Sequence, residues 1–182
     1  MGTVSTGRAG VMIGKEALHQ LHTVLERETG HEAALLLREI GFATGGALFE
    51  SFQAWVAEHY HVASPGELDS RFLAEALSSF FVEAGWGPVS VSELTPNVVA
   101  LDMAEWAEAE PRGAEYPSCH FSSGMFADFF TRLGGSQAAV MEVECLCRGE
   151  PRCRFLVGSP DVLTYVYERM TAGMGYRQAL GI

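Results

Sequence analysis

Lysine is almost missing from this chain: its 12 basic residues are Lys15 and eleven arginines, set against 23 acids for a formal charge of −11. Such a balance supplies no basic stripe to neutralise phosphates, which argues against direct nucleic-acid binding. Long apolar runs are missing too. None approaches the roughly 18–20 residues that cross a bilayer, so the chain reads as having no membrane span and as cytoplasmic. Gly41 to Gly46 lacks the lysine of a phosphate loop, and no G-x-G-x-x-G follows a strand pattern, leaving nucleotide-dependent reduction without a visible cofactor loop. No G-x-S-x-G elbow offers a nucleophile for acyl transfer. The reading therefore leans away from an enzyme. Cysteine is scarce at four residues, and no signal-peptide pattern precedes the chain, so a secreted disulfide framework is disfavoured.

What cysteine there is lies close together. Cys119, Glu142, Cys145 and Cys153 fall within a 35-residue window that ends in E-x2-C-x3-G-x3-C. Gly149-Glu150-Pro151 suits a turn between antiparallel strands, which would bring Cys145 and Cys153 together. Thiolates and a carboxylate suit a tetrahedral Zn2+ with no open position, hence a structural site. Three thiolates, a carboxylate and Zn2+ sum to about −2, and Arg148, Arg152 and Arg154 stand where they would offset that charge. Without a metal the same residues are ordinary buried thiols. Residues two apart on a strand share a face, so Cys147 competes with Glu142 as fourth ligand, and Glu142 needs a bulge or strand end to join the group.

The periodicity predicts an arm over residues 1–12 and a single domain over 13–182, helical from 13 to 85 and carrying the sheet, the zinc site and a last helix from 86 to 182. Helices are expected over 14–28, 31–60 (bent at Gly45-Gly46) and from a Ser64 cap to 84. Strands follow over 89–94 and 97–103, then an exposed acidic connection from Trp106 to Pro117. A helix over 118–133, a hairpin of 140–147 with 153–157, and a helix over 161–180 complete the chain. The fold class is α+β, an antiparallel sheet of two hairpins covered by helices. His19 and His22, and His59 and His61, read as exposed or capping histidines.

Phe126, Phe129 and Phe130 share one face of the helix that begins near Cys119, at i, i+3, i+4 spacing, with Asp128 expected on the solvent side. With Val140 and Trp106 they are candidates to line a pocket for a small apolar or aromatic molecule, bound by burial with little ionic contribution. An aromatic stripe of this kind is equally a core.

The stretch from about Ser118 to Pro160 resembles the 4-vinyl reductase (V4R) domain. That family includes sensory domains of bacterial phenol- and xylene-responsive activators and a protein linked to bacteriochlorophyll synthesis. Spacings of 23, three and eight residues from Cys119 through Glu142 and Cys145 to Cys153 are similar to the three-cysteine-plus-glutamate zinc site of the phenol sensors, which favours Glu142 over Cys147. The resemblance implies a fold related to haem-nitric-oxide-binding and vesicle-tethering domains, and a homodimer. It implies a sensory or carrier module whose output runs through a separate protein, with a tetrapyrrole-pathway factor or a ligand-free dimeric scaffold as alternatives. Asn97 to Ala100 holds no tryptophan and no histidine lies between His61 and His120, so the phenol-orienting pair of those sensors has no counterpart here.

Overall fold

The computed structural model describes residues 13–111 and 113–182; the arm expected over 1–12 lies outside the described residues. The described chain opens with two helices. α1 (Lys15–Thr29) ends at Gly30, and after one 3-10 turn α2 (Ala33–Tyr60) runs without a break. Helix α2 is continuous through Gly45-Gly46, where a bend was expected, and Gly45 serves a close crossing. α4 (His120–Gly134) lies against α2 so tightly that a Cβ on Gly41 would overlap the Phe121 carbonyl, and one on Gly124 the Arg38 carbonyl. A Cβ on Gly45 would stand 2.7 Å from Asp128 Cβ.

α4 is consequently enclosed on one side by α2 and on the other by the sheet. Asp128 is buried against α2 and pairs with Arg132 at 2.8 Å, so it does not face the solvent expected for it. Ser64 caps a 3-10 turn at Pro65–Glu67 and not the helix itself. α3 (Ser70–Glu83) starts from Asp69, whose Oδ1 accepts from the Arg71 and Phe72 N–H groups at 3.0 Å.

β1 (Ser90–Thr95), β2 (Val98–Met103), β3 (Ala139–Glu144) and β4 (Cys153–Gly158) form an antiparallel sheet in the order β1-β2-β4-β3. Alternation along β2 splits its side chains between two cores. Leu101 and Met103 face the helices with Phe126, Phe129 and Phe155, while Val98 and Ala100 meet Leu163 and Val166 of α5 (Pro160–Thr171). The last helix divides: Gly173, at φ 90°, separates α5 from the short α6 (Tyr176–Leu180).

Tyr176 ties α6 back to the sheet. Its hydroxyl donates to Glu144 at 2.5 Å and accepts from Arg154 at 2.9 Å, while Arg154 grips Asp102 through two contacts of 2.6 Å. Arg152 takes the other side of Glu144 at 2.9 Å, and Arg148 pairs with Glu150. These arginines are thus committed to carboxylates; offsetting thiolate charge is not the contact they make.

The α2–α4 crossing yields a prediction. Gly124→Ala forces the helices apart and should cost about 2 kcal/mol or more, lowering the melting temperature by roughly 4–8 °C. Gly134→Ala, with open space around it in the last turn of α4, should be neutral or slightly stabilising. Thermal unfolding of the two variants followed by circular dichroism checks this; equal melting temperatures would refute the close-crossing account.

Candidate metal centre and adjoining cavity

Cys119 occupies the N-cap position of α4, Glu142 lies on β3, Cys145 follows that strand, and Cys153 opens β4. In a regular strand Glu142 and Cys145, three apart, would face opposite ways. β3 carries a register shift between Glu142 and Glu144, opposite Phe155 and Arg154, and this bulge corrects the parity. The chain then leaves the strand for a 3-10 turn at Leu146–Arg148, closed by Gly149 at φ 87°. Cys147 is therefore on the turn and not on the strand as expected.

One ligand atom from each of Cys119, Glu142, Cys145 and Cys153 falls in a group with no separation above 4.8 Å, and all four residues are buried. Cys119 Sγ is 3.8 Å from Cys145 Sγ and 3.7 Å from Cys153 Sγ. These spacings are far too long for a disulfide, but tetrahedral metal–sulfur bonds of about 2.3 Å put sulfurs about 3.8 Å apart. Cys147, also buried, has its thiol in reach of Cys119 and Cys145 but stands outside the four-atom group.

The polar surroundings fit a cation. Glu142 Oε2 accepts the Cys119 N–H at 2.9 Å, while Oε1 is buried with no hydrogen-bond partner among the described residues. Burial, reinforced by Cys145, pushes this carboxyl up to about 9. The thiols divide: hydrogen bonding with Cys145 and its neighbours holds Cys119 well above its ordinary value, while the same contacts with Cys119 pull Cys145 and Cys153 down to about 6. Proton sharing of this sort is how a donor cluster without a cation limits its charge. A divalent ion held by the three cysteines and Glu142 would remove the need for it. Backbone supports the cluster, with the Leu146 N–H on Cys153 Sγ at 3.4 Å and the Cys145 N–H on Glu150 Oε2 at 2.5 Å.

Sequence reasoning missed the cap of α4. Glu108, expected on a solvated acidic connection, is buried and accepts from the Phe121 and Ser122 N–H groups at 3.0 and 2.7 Å. Helix N-termini favour a carboxylate there. His22, expected exposed or capping, is buried with Nε2 2.8 Å from Glu108 Oε1. Trp106 is buried as well and donates to Ser122 at 2.7 Å.

Phe126 and Phe129 are wholly buried in ring-to-ring packing: Phe126 lies 5.4 Å from Phe155, and Phe129 lies 5.5 Å from Phe52 and 5.2 Å from the half-buried Phe130. Those rings build core. Val140 instead lines a cavity of about 720 Å3 along β3, the edge strand, between the first turn of α4 and α5; Glu142, His120, Leu163, Tyr167 and Arg38 also line it. A second cavity of about 630 Å3 lies between α1 and α2, floored by Trp86 and Phe121.

The family profile described as the V4R domain matches residues 102–159, a span that holds every candidate ligand. The "Bacteriochlorophyll synthase 23 kDa chain" of Cereibacter sphaeroides is 30% identical over 155 residues, 85% of this chain and 74% of that one. Among solved structures, the phenol-responsive sensory domain of the transcription activator PoxR with phenol is similar at a TM-score of 0.60 and 20% identity, over 92% of this chain and 83% of that one. A trafficking protein particle complex subunit 3 from Naegleria fowleri, covalently bound to palmitic acid, is similar at 0.59 and 14%, over 79% and 91%.

For the metal centre the expected stoichiometry is about one zinc per chain by elemental analysis of protein purified without chelator. Cys145→Ser or Cys153→Ser should release the metal and lower the melting temperature, because ligand bonds contribute to folding. Cys147→Ser should be milder. Zinc lost from Cys147→Ser but kept by Glu142→Gln would instead make Cys147 the fourth ligand.

Proposed function

The chain belongs to the V4R domain family, and from that premise we propose that it is a zinc-stapled binding module that encloses a small apolar or aromatic molecule without transforming it. The observation that carries this reading is shared lining: β3 contributes Val140 and Met141 to the 720 Å3 cavity and, one residue on, Glu142 to both the cavity and the donor cluster. Bound zinc would fix Cys119 on α4 to both strands of the β3–β4 hairpin, holding open a space that side chains alone would close. Four protein donors leave it no position for substrate or water. A volume of this size suits a compact organic ligand. The similar structures hold phenol in one case and palmitic acid in the other, both with apolar bodies.

A second reading, an accessory factor in tetrapyrrole metabolism, is supported by the relative named for bacteriochlorophyll synthase. It keeps the same site and changes the guest. The output then runs through another protein. We also propose a homodimer through α2, whose Leu35 and Phe42, seven residues apart and so on one face, are 68% and 51% exposed. A dimer face would cover them; a scaffold role would use that face alone. No described helix is long and apolar enough to cross a membrane.

Native mass spectrometry of protein purified from its own host should find a retained small molecule. A tetrapyrrole there would select the second reading, while protein that arrives empty and gains no thermal stability from any apolar or aromatic compound would defeat both. Light scattering should give about twice the 19.7 kDa chain mass, falling to one chain in Phe42→Glu. Monomer at high micromolar concentration would remove the dimer.

A further inference from the structure

Arginine in this chain is almost always spoken for. Among the described residues, each arginine but one has a carboxylate in ion-pair range or lies over a tyrosine ring; the exception is Arg38. In a protein with 23 acids and 12 basic residues, a guanidinium left without a partner stands out. Its position is also particular. The Arg38 carbonyl is pressed against Gly124 at the α2–α4 crossing, which fixes this residue over the first turns of α4, and its side chain joins the lining of the 720 Å3 cavity.

The rest of that lining is mostly apolar. Val140 and Met141 come from β3 and Leu163 and Met170 from α5. Tyr116 and Tyr167, 70% and 59% exposed, add two aromatic rings to the same cavity. Rings standing in solvent at a cavity wall offer stacking surface that the folded core does not use. The net charge of −11 opposes more than one negative charge on a guest.

We propose that this cavity takes an aromatic monocarboxylate, its carboxylate on the Arg38 guanidinium and its apolar body against the tyrosines, Leu163 and Met170. A planar guanidinium matches a carboxylate through two parallel N–H···O bonds, and one such group suits one anionic charge better than a phosphate dianion. The inference rests on the cavity being the ligand site and adds the head group. It departs from the expectation of a guest bound with little ionic contribution, because that expectation was drawn from the uncharged Phe126 face and not from this cavity.

Pyrenebutyric acid and its methyl ester, titrated by fluorescence anisotropy against the whole chain, separate the cases. The acid should bind about tenfold more tightly than the ester, a modest ratio because Arg38 is exposed. Arg38→Gln should bring the acid to the level of the ester without weakening the ester or lowering the melting temperature, and Arg38→Lys should restore part of the preference. Thr164→Trp, on the cavity wall, should remove binding of both probes, whereas Ala47→Trp, in the 630 Å3 cavity, should leave both unchanged. Equal affinity for acid and ester, a preference that survives Arg38→Gln, or binding lost only in Ala47→Trp would each overturn the assignment. If neither probe nor any other apolar compound binds, the ligand-site reading itself fails and takes this inference with it.

Discussion

A buried carboxylate oxygen without a hydrogen-bond partner costs a folded protein about 1–3 kcal/mol, and more if it is charged, and here that oxygen is Glu142 Oε1. Its other oxygen already holds the Cys119 N–H, so the residue cannot turn away without undoing the start of α4. The bulge in β3 aims Glu142 at Cys145 and Cys153, and the 3-10 turn closes the hairpin behind them. Three separate segments thus meet at one polar point inside an apolar core. A cation at that point would turn the cost into a cross-link; burial otherwise raises the Glu142 carboxyl and limits the charge of the cluster.

The same convergence shapes the cavity. Cys119 sets where α4 begins, Glu108 caps its first turn from the β2–α4 connection, and the glycine contacts fix its distance from α2. With α4 held at that end, β3 as an edge strand has, among the described residues, no further strand to fill the space beyond Val140 and Met141. The opening is a consequence of sheet order β1-β2-β4-β3 combined with a helix that stops at the donor cluster.

Much of the candidate centre was legible because its signal is local. Cys145, Gly149 and Cys153 sit in one turn, and turn chemistry alone pairs them. A bulge or a strand end was implied, since Glu142 and Cys145 could not otherwise share a side, and β3 has both. Phe126, Phe129 and Phe130 were legible as a face that could be either pocket or core, and the sequence alone did not decide between them. Whether a ring borders a cavity or another ring depends on Phe52, Phe81 and Phe155, which arrive from distant segments. Asp128 and Glu108 failed for a related reason: helical position and charge pattern predicted solvent, but the side of α4 opposite the aromatic face packs on α2 and its N-terminus demands an acceptor.

Arg38 shows where sequence reading stops and packing takes over. Nothing in its neighbours, Leu37 and Glu39, distinguishes it from an arginine on any surface helix. Its significance comes from Gly41, Gly45 and Gly124, three residues that a periodicity argument treats as weak points in helices. Those glycines let two backbones approach, and the approach carries Arg38 across the first turns of α4 to the edge of the sheet. Residues that lower helix propensity in the sequence are therefore what brings a charge from one segment, a carboxylate from another and a cavity from a third into a single neighbourhood.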